Sequence, residues 1–201
     1  MEVGSTEQKI IAAARDLFTE RGFAATRIRD IAEAAGTNVA LLNYYFRSKE
    51  NLFRIIVHTD LQVLFAMLIP LITDEKRTLR EKIDVLSKQY TDLLLQREGL
   101  PLFILNEMKA NRDVLPEEFK NLRTQLEPAI LRELKNQNIA QSEYTDLFVN
   151  TISFILFPFI GKPMLFTMGF FRSETEFVQY VRHREKKIST WVLQAFNENQ
   201  K

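Results

Sequence analysis

With 201 residues, 46% hydrophobic and 26% charged, the chain is long enough for one large helical domain and a small one, and has the composition of a soluble globular protein. It has no cysteine, which excludes disulfides, thiolate metal sites and cysteine nucleophiles and suits a reducing cytoplasm. The net charge of +1 gives no argument for nucleic acid, and neither do the first fifty residues, where seven basic side chains face seven acidic ones.

The polar, acidic start MEVGSTEQ does not read as a signal peptide. Apolar residues then recur at intervals of three and four, and alternating strand patterns are lacking. The first helix is expected from about Ser5 to Arg21, with Ile10, Ala13, Ala14, Leu17 and Phe18 as its buried stripe and Gly22 as a left-handed stop. Ile28, Ile31, Ala32 and Ala35 mark a short second helix closed by Gly36, and Leu42 and Phe46 anchor a third. Ser48 caps a long fourth helix that is expected to end at Pro70.

Leu79, Ile83, Leu86, Tyr90 and Leu93 give a strong amphipathic pattern over 78–97. A short helix through Met108 follows, then one opened by Pro116 and kinked at Pro128. Ser142 is expected to cap a helix to about Phe157, and a last helix to run unbroken from Ser173 to about Asn197, with Phe177, Val181, Ile188, Trp191 and Ala195 on one face. The apolar stretch from Ile152 to Phe171 has the length of a membrane span, but Pro158, Gly161, Lys162 and Pro163 at its middle favour a buried soluble helix followed by a loop. The expectation is an all-α protein of about nine helices, divided into a three-helix head (1–48) and a larger helical body (49–201).

The head carries the most specific chemistry. Residues 28–35, the Gly36 turn and residues 39–46 fit a helix-turn-helix, with a crossing helix, a tight turn and a recognition helix. Leu42 and Phe46 pin the recognition helix, so Thr37, Asn38, Val39, Ala40, Asn43 and Tyr44 point outward. Asn43 can pair with adenine, and Val39 and Ala40 can touch a thymine methyl. Thr37, Tyr44 and Tyr45 can donate to phosphates, while Lys49 adds charge at a helix N-terminus. Arg27 and Arg29 could do the same on the other side of the groove.

On these residues the sequence resembles the TetR (tetracycline-repressor-like) family of transcriptional regulators. The family's opening pattern is matched by Ile10, Ala13, Ala14, Leu17, Phe18, Gly22, Phe23 and Thr26, its middle by Ile31, Ala32, Ala35 and Gly36, and its end by Tyr44, Phe46, Ser48, Lys49, Glu50 and Leu52. The resemblance covers roughly residues 7 to 55, about a quarter of the chain. It implies that the third helix reads the major groove and that Tyr44, Tyr45 and Lys49 touch the backbone. It further implies a body that binds a small effector and dimerises through its last two helices. Two positions depart: Asn43 stands where many members have Tyr, which bears on base preference, and Arg27 where many have Ser or Thr, which puts the usual cap of the second helix in question.

In the body, Phe103, Phe154 and Phe157 are candidate walls of an apolar ligand pocket, with Asn106 and Glu107 as polar contacts. Phe148, Phe177 and Trp191 are candidate anchors of a dimer interface. His58 and His183 are far apart and outside any ligand-spaced motif, so neither a metal nor a cofactor is expected. A GxGxxG, a P-loop, an HExxH helix and a GxSxG elbow are absent from the sequence, which argues against an enzyme. The expected function is a cytoplasmic, homodimeric DNA-binding regulator without a membrane partner, a repressor released from a pseudo-palindromic operator by a small apolar ligand. The alternative is a helical adaptor or an enzyme without DNA binding.

Overall fold

The computed structural model describes residues 5–110 and 116–197, with the side chains at 106, 107, 110, 116–118 and 197 outside that description. Among the described residues there are eleven α-helices and no strand: α1 (Thr6–Ala25), α2 (Ile28–Ala34), α3 (Val39–Phe46), α4 (Lys49–Thr73), α5 (Leu79–Gln96), α6 (Leu100–Ala110), α7 (Pro116–Asn136), α8 (Tyr144–Ile160), α9 (Lys162–Thr167), α10 (Glu174–Glu185) and α11 (Ile188–Asn197). A 3₁₀ turn, Gln141–Glu143, precedes α8.

Local chemistry sets most boundaries. Ser5 and Gln8 form a reciprocal capping box at α1, Thr78 and Glu81 form another at α5, and Ser173 accepts from the Glu176 N–H at α10. Ser48 accepts from the Asn51 N–H at 3.1 Å and starts α4. Gly22 sits at φ 77 and kinks α1 near its end, the left-handed conformation expected of it.

The chain divides into two compact units, Met1–Leu64 with Leu102–Val114, and Phe65–Pro101 with Leu115–Lys201. In the first, Ile10, Ala14, Leu17 and Phe18 of α1 are buried, as are Ile31 and Ala32 of α2, Leu42 and Phe46 of α3, and Leu52, Phe53, Ile56, Val57 and Leu61 of α4. Phe18, Phe23, Phe53 and Phe103 form a ring cluster with centroid spacings of 4.7–5.7 Å. By length and composition α4 could cross a membrane. Its first half is instead built into this core, and its buried Asp60 is held by Arg15 at 3.0 Å, a charge that hydrocarbon would penalise.

The second unit is organised around α5, which packs against α8, α10 and α11. Leu79, Ile83, Leu86, Tyr90 and Leu94 are its buried stripe, Leu94 taking the place expected of the half-buried Leu93. A buried ion pair, Lys82 Nζ to Glu133 at 2.6 Å, ties α5 to α7.

Several expected boundaries need correction. Pro70 lies inside α4, which continues to Thr73, and Ser142 falls in the 3₁₀ turn while Glu143 stands at the N-cap of α8 without a side-chain cap. Helix α8 runs past Phe157 to Ile160 with Pro158 inside. A proline removes the N–H that would bond to the carbonyl four residues earlier. Here that carbonyl, of Phe154, accepts from Arg184 Nε at 3.2 Å instead. The segment expected as a loop after α8 forms α9, with Pro163 in its first turn. The last helix is broken between α10 and α11 at Lys186 and Lys187. Ile188 is buried as expected, but Val192 and Phe196, four and eight residues after it, face the core where Trp191 and Ala195 were expected.

Candidate nucleic-acid interface

Helices α2 and α3 are joined by Ala35–Asn38, where Gly36 takes φ 63 and the Thr37 N–H donates to the Ala32 carbonyl at 2.9 Å. Asn38 caps α3 by accepting from the Leu41 N–H at 2.8 Å, so its oxygen is occupied and its amide N–H groups face solvent. Leu42 and Phe46 are fully buried and fix the roll of α3 against α1 and α2. That roll leaves Asn38, Ala40, Asn43, Tyr44 and Tyr45 exposed and Thr37 and Val39 half-buried. Tyr44 is 79% exposed, and its ring meets Tyr45 edge-on at 5.4 Å. Both tyrosines stand exposed on a short helix, where their hydroxyls can donate to an acceptor outside the protein.

The opposite edge is set by α2. Arg27 and Arg29 are exposed. Arg27 supplies no side-chain cap to α2; instead its own N–H donates to the Asp30 carboxylate at 3.3 Å. Thr26, 1% exposed, donates its hydroxyl to the carbonyls of Gly22 at 2.8 Å and Leu17 at 3.2 Å, pinning the end of α1 to the start of α2.

Lys49 is less free than the sequence implied. Its Nζ donates to the carbonyls of Phe23 and Thr26 at 3.0 Å each and lies 4.1 Å over the Phe23 ring, leaving one N–H for another acceptor. Sequence reasoning passed over Arg47. It is exposed and sits between α3 and α4 at φ 64, ψ −43, with the Ser48 N–H donating to the Phe46 carbonyl at 2.7 Å. This is a γ-turn with positive φ, a rare and strained geometry for a residue with a side chain. Its only sequence signal was a basic residue beside the recognition helix.

Residues 10–56 match the family model described as bacterial regulatory proteins, tetR family. Over those residues the chain is similar to the DNA-binding region of the TetR family. Among relatives, the probable HTH-type transcriptional regulator YttP of Bacillus subtilis is 24% identical over 96% of this chain and 94% of its own length. A TetR transcriptional regulator from Legionella pneumophila superposes with a TM-score of 0.65 at 20% identity, covering 98% of this chain and 100% of that one. The regulator FadR from Bacillus subtilis, solved with stearoyl-CoA, superposes at 0.64 with 17% identity over 90% and 97% of the two chains. The protein is a helix-turn-helix transcriptional regulator.

The other expected site residues fall in different units. Phe103 packs on Phe53 in the first unit's core, while Phe154 packs against Trp191 and Phe157 stands 52% exposed in the second. Asn106 and Glu107 lie outside the described side chains. Phe177 cannot anchor a partner: it is fully buried among Phe159, Phe166 and Phe171 of its own subunit. Trp191 is half-buried beneath the Arg184 guanidinium at 4.8 Å, and Phe148, half-exposed, lines a cleft rather than a flat face.

Proposed function

We propose that the protein is a cytoplasmic homodimeric repressor that holds a pseudo-palindromic operator and releases it when a small apolar effector occupies the body. The observation that carries the reading is the outward face of α3: Asn43 and Ala40 beside two exposed tyrosines, on a helix whose roll is fixed by Leu42 and Phe46. Asn43 reads a base edge, Tyr44, Tyr45 and Arg29 take phosphates, and Arg27, Thr37, Asn38 and Val39 complete the footprint. Two such heads on a two-fold axis match a two-fold operator.

Effector control is a coupling free energy. Helix α4 is continuous from Lys49 to Thr73 and belongs to both units, which makes it the lever between ligand and heads. A hundredfold loss of operator affinity needs an effector that prefers the released state by about 2.7 kcal/mol. Dimerisation through the last helices and α8 would cover exposed apolar side chains such as Val149, Phe157 and Val178. The chemistry assigned here is binding, without catalysis or cofactor.

The test is selection from random duplex DNA by the full-length protein, followed by anisotropy titration of the enriched sequence across salt. The expected result is an enriched inverted repeat bound two chains per site with a steep negative salt slope. Failure to enrich any sequence, with weak binding even at low salt, would overturn the reading in favour of a helical adaptor.

A further inference from the structure

Two apolar openings in the second unit share a wall. The outer one, about 310 Å³, lies between α7 and α8, with Phe119, Leu122, Arg123, Tyr144 and Thr145 around it. Leu126, Ile130 and Phe148 border both it and an inner cavity of about 50 Å³. The inner cavity continues between Ile72, Ile83 and Leu86, and its one polar side chain, Thr151, donates its hydroxyl to the Leu147 carbonyl at 2.7 Å. The two openings are therefore polar at the outer end and almost wholly apolar at the inner one, where the Thr151 hydroxyl is spent on a backbone carbonyl.

The polar end is rich in donors. Arg123 donates Nε and Nη2 to Glu127 at 3.3 and 3.1 Å, which holds the guanidinium in place and leaves Nη1 unengaged by that pair. Glu127 itself is not part of the lining, and neither is any other carboxylate. Burial first, and then the charge of the Glu127 carboxylate against that of Arg123, push the Tyr144 phenol above its ordinary range, so its hydroxyl remains a neutral donor at physiological pH.

We propose that this passage is a tail-first site for an amphiphile with an unbranched aliphatic tail and an anionic, acceptor-rich head. The tail runs past Leu126, Ile130 and Phe148 toward Ile83, and the head rests on Arg123, Tyr144 and Thr145. The inference rests on the reading that the body takes an effector, and it names that effector's class. An outer volume of about 310 Å³ is at the lower edge of the roughly 300–1,000 Å³ typical of small-molecule sites, which suits a slender chain better than a fused-ring ligand.

The experiment is calorimetric titration of the full-length protein with a homologous series of alkyl carboxylates from hexanoate to tetradecanoate, each below its micellar concentration, with alkyltrimethylammonium ions of matched length as controls. Affinity should rise about fourfold per methylene and then level off as the tail reaches the end of the passage. The cationic controls should bind at least about tenfold more weakly. Arg123→Ala should remove that preference while keeping the rise per methylene. Ile83→Trp should bring the levelling-off to a shorter tail, a change that mere loosening of the fold would not produce. Saturable binding that ignores tail length, equal affinity for cationic and anionic heads, or no binding by a protein that still holds its operator would each overturn the site. The same samples separate this inference from the effector reading. Alkyl anions that bind as described but leave the operator occupied support the site and defeat the effector role. Operator release by another small molecule, with no alkyl anion bound, does the reverse.

Discussion

Lys49, the first residue of α4, donates to the backbone carbonyl of Phe23 at 3.0 Å and lies 4.1 Å above the same residue's ring. With its second bond, to the Thr26 carbonyl, it ties the start of α4 to the junction of α1 and α2. A residue expected to be a phosphate ligand is thus first a brace of the head. Both roles fit one ammonium group, because two of its three N–H bonds are internal and the third is left over.

Lys49→Ala should therefore act twice. Loss of two charge-assisted bonds and the ring contact should lower stability by about 1–3 kcal/mol in urea denaturation. Operator affinity should fall on specific and random DNA alike, with the salt slope reduced by about one unit. A stability loss with an unchanged slope would show that the side chain braces the head and does no more.

Asn43→Ala should relax preference at one base step by about 1–3 kcal/mol and leave binding to random DNA nearly intact. Competition titrations against single-base operator variants measure this directly. Equal losses on specific and random duplexes would sink the base-reading role of Asn43.

Arg47 pays a conformational cost at φ 64 that glycine would avoid. Arg47→Gly should raise the urea midpoint, by about 1 kcal/mol in stability, whereas Arg47→Ala should not, since alanine keeps the strain. If both variants gain equally, charge rather than backbone is the cause.

Arg184 and Pro158 should be energetically coupled through the Phe154 carbonyl. Arg184→Met strands that carbonyl and should cost about 1–3 kcal/mol, together with lost stacking on Trp191. In a Pro158→Ala background, alanine's N–H can take over the carbonyl, and the same substitution should cost less. A double-mutant cycle in thermal or urea unfolding gives the coupling, and strict additivity would refute it.

Asp92 should contribute to an acid-sensitive link between α5 and α10. Hydrogen bonds from Lys88 and Arg182 hold its carboxyl below the usual carboxylate range. A depressed folded pKa means that the stabilisation is complete above the unfolded value, near 3.9, and disappears as pH falls through the lower, folded one. Wild type should thus exceed Asp92→Asn in stability at neutral pH, and the two should converge in strong acid. A difference that is constant from neutral pH to strong acid would rule out the ionised carboxylate as its source.

The head was legible because its rules are local. Ser5, Gly22, Gly36 and Ser48 each announce a helix boundary within a few residues, and the order of apolar anchors from Ile10 to Leu52 marks the faces of α1 to α4. The outward face of α3 followed from Leu42 and Phe46 alone, which the structure places at 0% and 1% exposure. Less legible were the roles that need a distant partner. The internal duty of Lys49 depends on carbonyls more than twenty residues away.

The sequence by itself determined the all-helical fold class, the helix-turn-helix and the direction in which its recognition helix faces. These rest on periodicity, capping and turn chemistry, which act over one or two helical turns. Only the tertiary structure decided that Pro158 could stay inside α8, that Phe177 belongs to the core, that the last helix breaks, and that Val192 and Phe196 face inward. In the clearest case the reason is long-range compensation. A donor on Arg184, thirty residues along the chain from Phe154, satisfies a carbonyl that local rules leave unpaired. The aliphatic passage is of the same kind, since its wall is assembled from residues on four helices that only packing brings together.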